Sequence, residues 1–199
     1  MTDLVWPQTI RPLNMRWGLV SNTQAFTSPL SRSTQTLELP GAAWKVSMEF
    51  GSLKRAEIAG LEALMAQLRG MANRVLLWHM ARETPRGSAT GTGLTDGSNQ
   101  TGVSMTTDGW NNNSSGELLP GDFFSVAGEL KIVTAQMDTD SGANGTLNFE
   151  PPLRQVIADN QTITISKPTA RFMLPQDSYE FNYERALAGI PLTFIEDVS

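Results

Sequence analysis

The sequence predicts a mainly β protein with one principal α-helix, arranged as a β-sandwich with a packed helix plus an inserted small β-barrel of OB-like type. Two periodicities and one change of composition carry that prediction. Trp44, Val46, Met48 and Phe50 alternate with Lys45, Ser47 and Glu49, the period of two that marks a half-buried strand. Ile58, Leu61, Leu64, Met65, Leu68 and Met71 then follow helical spacing, with Lys54, Arg55, Glu57, Glu62, Gln67 and Arg69 largely on the other side. Beyond Pro85 the chain changes to short alternating runs bounded by turn residues about every 8 to 12 positions, as in a small barrel or sandwich.

Pro7, Pro12 and Pro29 punctuate residues 1–33, which read as an arm with extended pieces rather than a central strand, because proline removes a ladder donor. Leu37 and Leu39 alternate with Thr36 and Glu38 ahead of Pro40-Gly41, predicting a hairpin partner for the Trp44 strand. Gly51-Ser52 ends that strand, and Ser52 is the expected N-cap of a helix over about 53–70. Gly70 and Asn73 supply the stop, after which residues 74–79 resume as a strand rich in large apolar side chains. A loop over 85–102, a short strand over 103–107 and a turn or exposed tip at 110–116 follow.

Pro120 pre-sets φ for the first central position of a turn and Gly121 supplies φ > 0 at the second, so a strand begins at Phe123. Further strands are expected at 130–137, 145–149, 162–166 and 171–174, and Pro151-Pro152 ends the pairing after Phe149. Phe181 and Tyr183 alternate with Glu180, Asn182 and Glu184, and Leu192 and Phe194 with Pro191 and Thr193, giving two closing strands. Chain termini commonly lie together. The closing pair is therefore expected to complete the sheet of residues 1–82, so that 1–82 plus 177–199 form one domain and 86–176 an inserted barrel.

Composition excludes several chemistries. With no cysteine there is no disulfide framework, thiolate nucleophile or Cys-based zinc site. Asn99, Asn112, Asn113, Asn144 and Asn160 head Asn-x-Ser/Thr triplets, which in a cysteine-free chain read as incidental to manufacture in a cytoplasm. The absence of a long apolar run or a basic-then-apolar leader predicts a protein soluble when made, with no membrane partner. Residues 1–99 hold ten Lys/Arg against seven Asp/Glu, whereas residues 100–199 hold five against thirteen. The acidic second half argues against nucleic-acid binding, which needs clustered cations.

No reactive constellation emerges. His79, the sole histidine, has no elbow serine or cysteine to activate and reads as structural or rim. Residues 87–93 are glycine-rich but lack Gly-Lys-Ser/Thr between a strand and a helix, so they read as a flexible loop. Residues 138–145 have calcium-loop residue types but place Gly142 at the fifth position and Phe149 at the twelfth, so they read as a hairpin tip with a weak cation site as the lesser option. Glu180 and Glu184 share one strand face rather than opposing each other across a cleft. No cofactor, metal or catalytic residue is assigned, and the protein is expected not to be an enzyme. Among the five tryptophans, Trp44 and Trp78 fall in strand patterns and are expected in the core. Trp6, Trp17 and Trp110, together with Phe26, lie in arm or loop context and are the interface candidates.

The run Leu-Pro-Gly-Asp-Phe-Phe-Ser-Val-Ala-Gly at 119–128, ending in Thr-Leu-Asn-Phe-Glu-Pro-Pro-Leu at 146–153, resembles the accessory β-domain of tailed-bacteriophage tail proteins. The first eighty residues, with the Trp44 strand, the helix, its Gly70 stop and the strand at 74–79 in that order, are similar to the other half of distal tail proteins. Asp3–Leu13, with two prolines, is less strand-like than in that family. The resemblance implies a structural virion protein joining the tail tube to the tail tip or baseplate of a long-tailed phage. It further implies a self-associated ring, usually a hexamer, with the barrel facing outward. Tail tube protein and tail-tip hub protein are the implied partners, and the implied location is the virion tail, assembled in the bacterial host cytoplasm. The alternative expectation is a carbohydrate-binding or receptor-binding module of a tail tip, since OB-type barrels with exposed tryptophan bind sugars.

Overall fold

The structure, a computed structural model, describes residues 2–181 and 190–198. Chain order runs β1 (Asp3–Val5), β2 (Asn14–Val20), β3 (Thr23–Thr27), β4 (Thr34–Glu38), β5 (Ala43–Phe50), α1 (Arg55–Leu68), β6 (Arg74–Leu77), β7 (Leu94–Thr95), β8 (Ser104–Asp108), β9 (Phe123–Val126), β10 (Glu129–Val133), β11 (Gly145–Glu150), β12 (Ile163–Thr164), β13 (Ala170–Met173) and β14 (Ile190–Glu196). Among the described residues the fold is mainly β with one helix, and comprises two six-stranded sheets and one separate hairpin.

In β5 the alternation is realised as read: Trp44, Val46, Met48 and Phe50 are buried while Lys45 and Glu49 are exposed. Ile58, Leu61, Leu64, Met65 and Leu68 of α1 are buried and share one core cluster with that face. The helix begins later than Ser52, with Lys54 as N-cap, because the Glu57 carboxylate accepts the Lys54 backbone N–H at 2.7 Å and satisfies the helix start from inside. It ends through left-handed Arg69 and then Gly70 at φ +64°, where a Cβ would stand 2.6 Å from Asp177 Oδ1. Met71 lies past that stop and is exposed, so it is not part of the inner stripe.

The first sheet has the order β1-β6-β13-β14-β5-β2, with β1 parallel to β6 and all other neighbours antiparallel. Three expectations are corrected by this order. First, β5 pairs with β14 and β2, not with the Leu37 run, which instead pairs with β3 in the separate hairpin. Second, residues 1–33 are not merely an arm: β1 and β2 are the two edges of the sheet, and edge strands tolerate the flanking prolines. Third, β13, expected in the barrel, lies between β6 and β14 in the first sheet. Of the two closing strands, β14 is present, residues 178–181 form no strand, and 182–189 lie outside the described residues.

The second sheet has the order β12-β9-β10-β11-β8-β7. Its ends meet: Leu94 bridges Thr162, the Ile163 N–H donates to Gly93 O at 2.8 Å and the Thr95 N–H to Gln161 O at 3.0 Å. The sheet is therefore a nearly closed barrel, which leaves little free edge. Its core gathers Trp110, Phe124, Leu147, Phe149 and Ile163. The chain enters and leaves the barrel side by side, since the Lys167 N–H donates to Glu83 O at 2.6 Å.

Candidate functional site

The four aromatic candidates separate by environment. Trp6 is 1% exposed, stacked on Phe50 at 5.9 Å and edge-on to Phe194 at 6.1 Å, and its Nε1–H donates to Ile10 O at 2.9 Å. Trp110 is buried in the barrel, where its Nε1–H donates to Thr107 Oγ1 at 2.9 Å. Its ring occupies the space beside Gly93, where a Cβ would lie 2.0 Å from the indole. Of the expected turn or exposed tip at 110–116, the turn is present and residues 112, 113 and 115 are exposed, but its largest side chain, Trp110, points inward. Trp17 is half-buried between the two sheets, and Phe26 is 66% exposed. Trp6, an interface candidate by its arm context, lies in the core of its own chain, because β5 and β14 supply its partners from distant sequence.

Phe26 belongs to a different kind of element. Every residue of β3 and β4 is exposed, and the base of the hairpin is closed by Leu39 N–H to Asn22 O at 2.8 Å and Asn22 Nδ2 to Pro40 O at 2.7 Å. The register places Gln24 opposite Leu37 and Phe26 opposite Gln35 on one face, with threonines dominating the other. Leu37 is 58% exposed and Leu30 at the tip 96%. A lone two-stranded hairpin is marginal in water, so these apolar groups are poorly accounted for within one chain. Its arm context singled out Phe26 but not Leu30, and Leu37 was read into a strand beside β5, whereas its exposure follows from pairing β4 with β3.

The joint between sheet and barrel is the other concentration of specific contacts. Phe123 and Leu130 of the barrel belong to the same core cluster as Trp44, Phe172 and Phe194 of the sheet, and Trp44 Nε1–H donates to Leu130 O at 2.9 Å. Beside them lie three buried charges, Glu129, Lys131 and Glu196, and the part-buried Arg154. Lys131 Nζ contacts Glu129 Oε2 at 2.7 Å, and Arg154 contacts Glu196 Oε1 at 2.5 Å, while Glu196 Oε2 accepts the Trp44 N–H at 3.0 Å. Burial pushes the Glu196 carboxyl above its ordinary value against the opposing pull of Arg154, and burial pushes the Lys131 amine down. A cleft of about 620 Å³ lined by Asp3, Glu129, Arg154 and Arg171 flanks this network, and a groove of about 570 Å³ lined by Pro40, Pro151, Pro152 and Leu153 lies on the other side of Arg154. Neither is lined by an aromatic side chain.

The remaining sequence motifs are occupied by structure. Asp140 Oδ1 accepts the N–H groups of Gly142 at 2.8 Å and Asn144 at 2.9 Å, so the calcium-like residues close a turn on themselves. Residues 88 and 89 are pinned to the barrel, with Ser88 N–H donating to Gly116 O at 3.0 Å and Ala89 N–H to Glu117 O at 3.1 Å, so this start of the glycine-rich run is held rather than free. Glu180 is exposed and Glu184 lies outside the described residues. Among the described residues no three His, Cys, Asp or Glu side chains gather as metal ligands, and no helix is long and apolar enough to cross a membrane. No family model matches the chain, and no curated protein matches it.

Proposed function

We propose that this chain is a structural subunit of a long-tailed phage, a distal tail protein that self-associates into a ring, as a hexamer, between the tail tube and the tail tip or baseplate. The observation that carries the reading is the β3–β4 hairpin. It projects Phe26, Leu30 and Leu37 from the body with no packing of its own, which is the condition of an element stabilised by a neighbour. The first sheet with α1, read as the sandwich-type ring domain, and the nearly closed barrel, read as an OB-type insertion on the ring's exterior, fit the order of parts in such proteins. Tail tube and tail-tip hub proteins are the proposed neighbours on the two ring faces, in a virion assembled in the host cytoplasm.

Light scattering after size exclusion, with negative-stain imaging, tests the reading. Rings are expected for the native chain, and a folded monomer for the triple variant Phe26→Ser, Leu30→Ser, Leu37→Ser. A native monomer that binds a defined sugar on a glycan array would replace the ring reading with a receptor-binding one.

A further inference from the structure

His79 sits where the first sheet meets the barrel, two residues after β6 and at the start of the segment leading into the barrel. Its ring is 5.1 Å from Trp17 of β2 at 48°, and stacks on Phe123 of β9 at 5.0 Å and 25°. Phe123 in turn meets Trp17 at 6.1 Å and Trp44 at 5.6 Å, so the imidazole is one tile of an aromatic joint contributed by both bodies. Its Nδ1 is buried with no hydrogen-bond partner.

The charges around the ring are all of one sign or already engaged. Arg82 lies 5.8 Å over the Phe123 ring and is the charged group that faces His79. From β2 and β9 the facing groups are Trp17 and Phe123, which carry no charge. The nearest carboxylates along the chain are held elsewhere: Glu83 by Arg11 and by Trp78 Nε1–H at 3.1 Å, and Asp122 by Arg86 at 3.2 Å. A proton added to this imidazole puts charge on a buried ring beside an arginine, and both effects oppose it, against the smaller favourable pull of the residue's own backbone.

We propose that His79 is a proton-sensitive pin of the joint: neutral, it fills the seam and holds the barrel on the sheet, and protonated, it releases the barrel to move on its two connecting segments at 80–86 and 165–169. Burial first, and then Arg82, lowers the His79 value below the ordinary 6.5. A released His79 regains that ordinary value. The docked state thus binds the proton less readily than the released one, so docking is full above 6.5 and is lost as the pH falls from 6.5 through the lowered docked value. Carboxyl Glu196 at the same joint has a raised value and opposes release in acid, so His79 must outweigh it for the joint to open.

One titration of the full chain decides this, because the molecule has a single histidine and two tryptophans at the joint. Between about pH 8 and about pH 5, the His79 ring resonances, tryptophan emission and tryptic cleavage after Arg82 and Arg86 are followed together. The expected result is a His79 midpoint below 6.5, with a reversible emission change and, once each rate is divided by that of trypsin on an unstructured peptide at the same pH, about tenfold faster cleavage that track it. His79→Phe, which keeps a neutral ring in the seam, and His79→Gln, a smaller neutral side chain, are both expected to abolish the acid-induced change in emission and cleavage. The proposal is overturned if His79 titrates with no change in emission or cleavage, or if both variants show the native acid transition.

Discussion

Leu61 is fully buried and Leu64 nearly so on the inner face of α1, so replacing either with alanine is expected to destabilise by about 2 to 5 kcal/mol. Glu62→Ala, on the half-exposed side, is expected to shift stability by about 0.5 kcal/mol or less, and denaturant midpoints of the three variants check the contrast. Helix spacing made those positions legible, since both faces of the pattern lie within one element. Trp6 was illegible for the opposite reason: its partners Phe50 and Phe194 are far along the chain, and the adjacent Pro7 resembles a breaker. Glu196 supplies the pH prediction. Its carboxyl titrates above the ordinary 4.5 in the folded chain, so its contribution is full below 4.5 and is lost as the pH rises through the raised value. Glu196→Gln should flatten that part of the stability-versus-pH curve, whereas an unchanged slope would place the titration on another group.

At the scale of elements, the strongest local test is the end of α1. Gly70 carries φ +64° and has no room for a Cβ beside Asp177, whose Oδ1 also accepts the Met71 N–H at 3.2 Å. Gly70→Ala is expected to lower stability by about 1 to 3 kcal/mol, read as a fall in melting temperature. A melting temperature that rises would mean the turn had adopted another conformation. Elements whose period is long and self-contained, such as β5 and α1, could be read directly from the chain. Short ones could not be assigned to a sheet, because the few alternating residues of β13 suit either body equally. The β4 partner was misread because Pro40-Gly41 looks like a hairpin turn, while the true reversal lies at 28–33, where the Ser28 N–H donates to Ser33 O at 2.9 Å.

For the molecule as a whole, the sheet order fixes where the barrel can be removed. Joining Glu83 to Ser178 would delete β13 from the interior of the first sheet and is expected to give an unfolded product. Joining Glu83 to Lys167, whose backbones already meet at 2.6 Å, keeps every strand of that sheet. This second product is expected to show β-rich circular dichroism but reduced solubility, because Trp17 and Trp44 lose the cover of Phe123 and Leu130. Equal folding of both products would argue that β13 is dispensable. The existence of an inserted barrel was legible from the composition change after Pro85. Its true exit was not, since the strand that follows continues the same short-strand rhythm.

The spatial order β6-β13-β14-β5 also sets a timetable for synthesis. Strands β5 and β6 leave the ribosome before the barrel, yet the two strands that lie between them are made after it. All six barrel strands lie between, so the barrel can close while the first sheet is still missing its middle. Until β14 arrives, Val46, Met48 and Phe50 have no partner on that side, and the nascent chain carries an open apolar flank. The sheet begun before the barrel is therefore finished only after it, because β13 and β14 follow all six barrel strands along the chain.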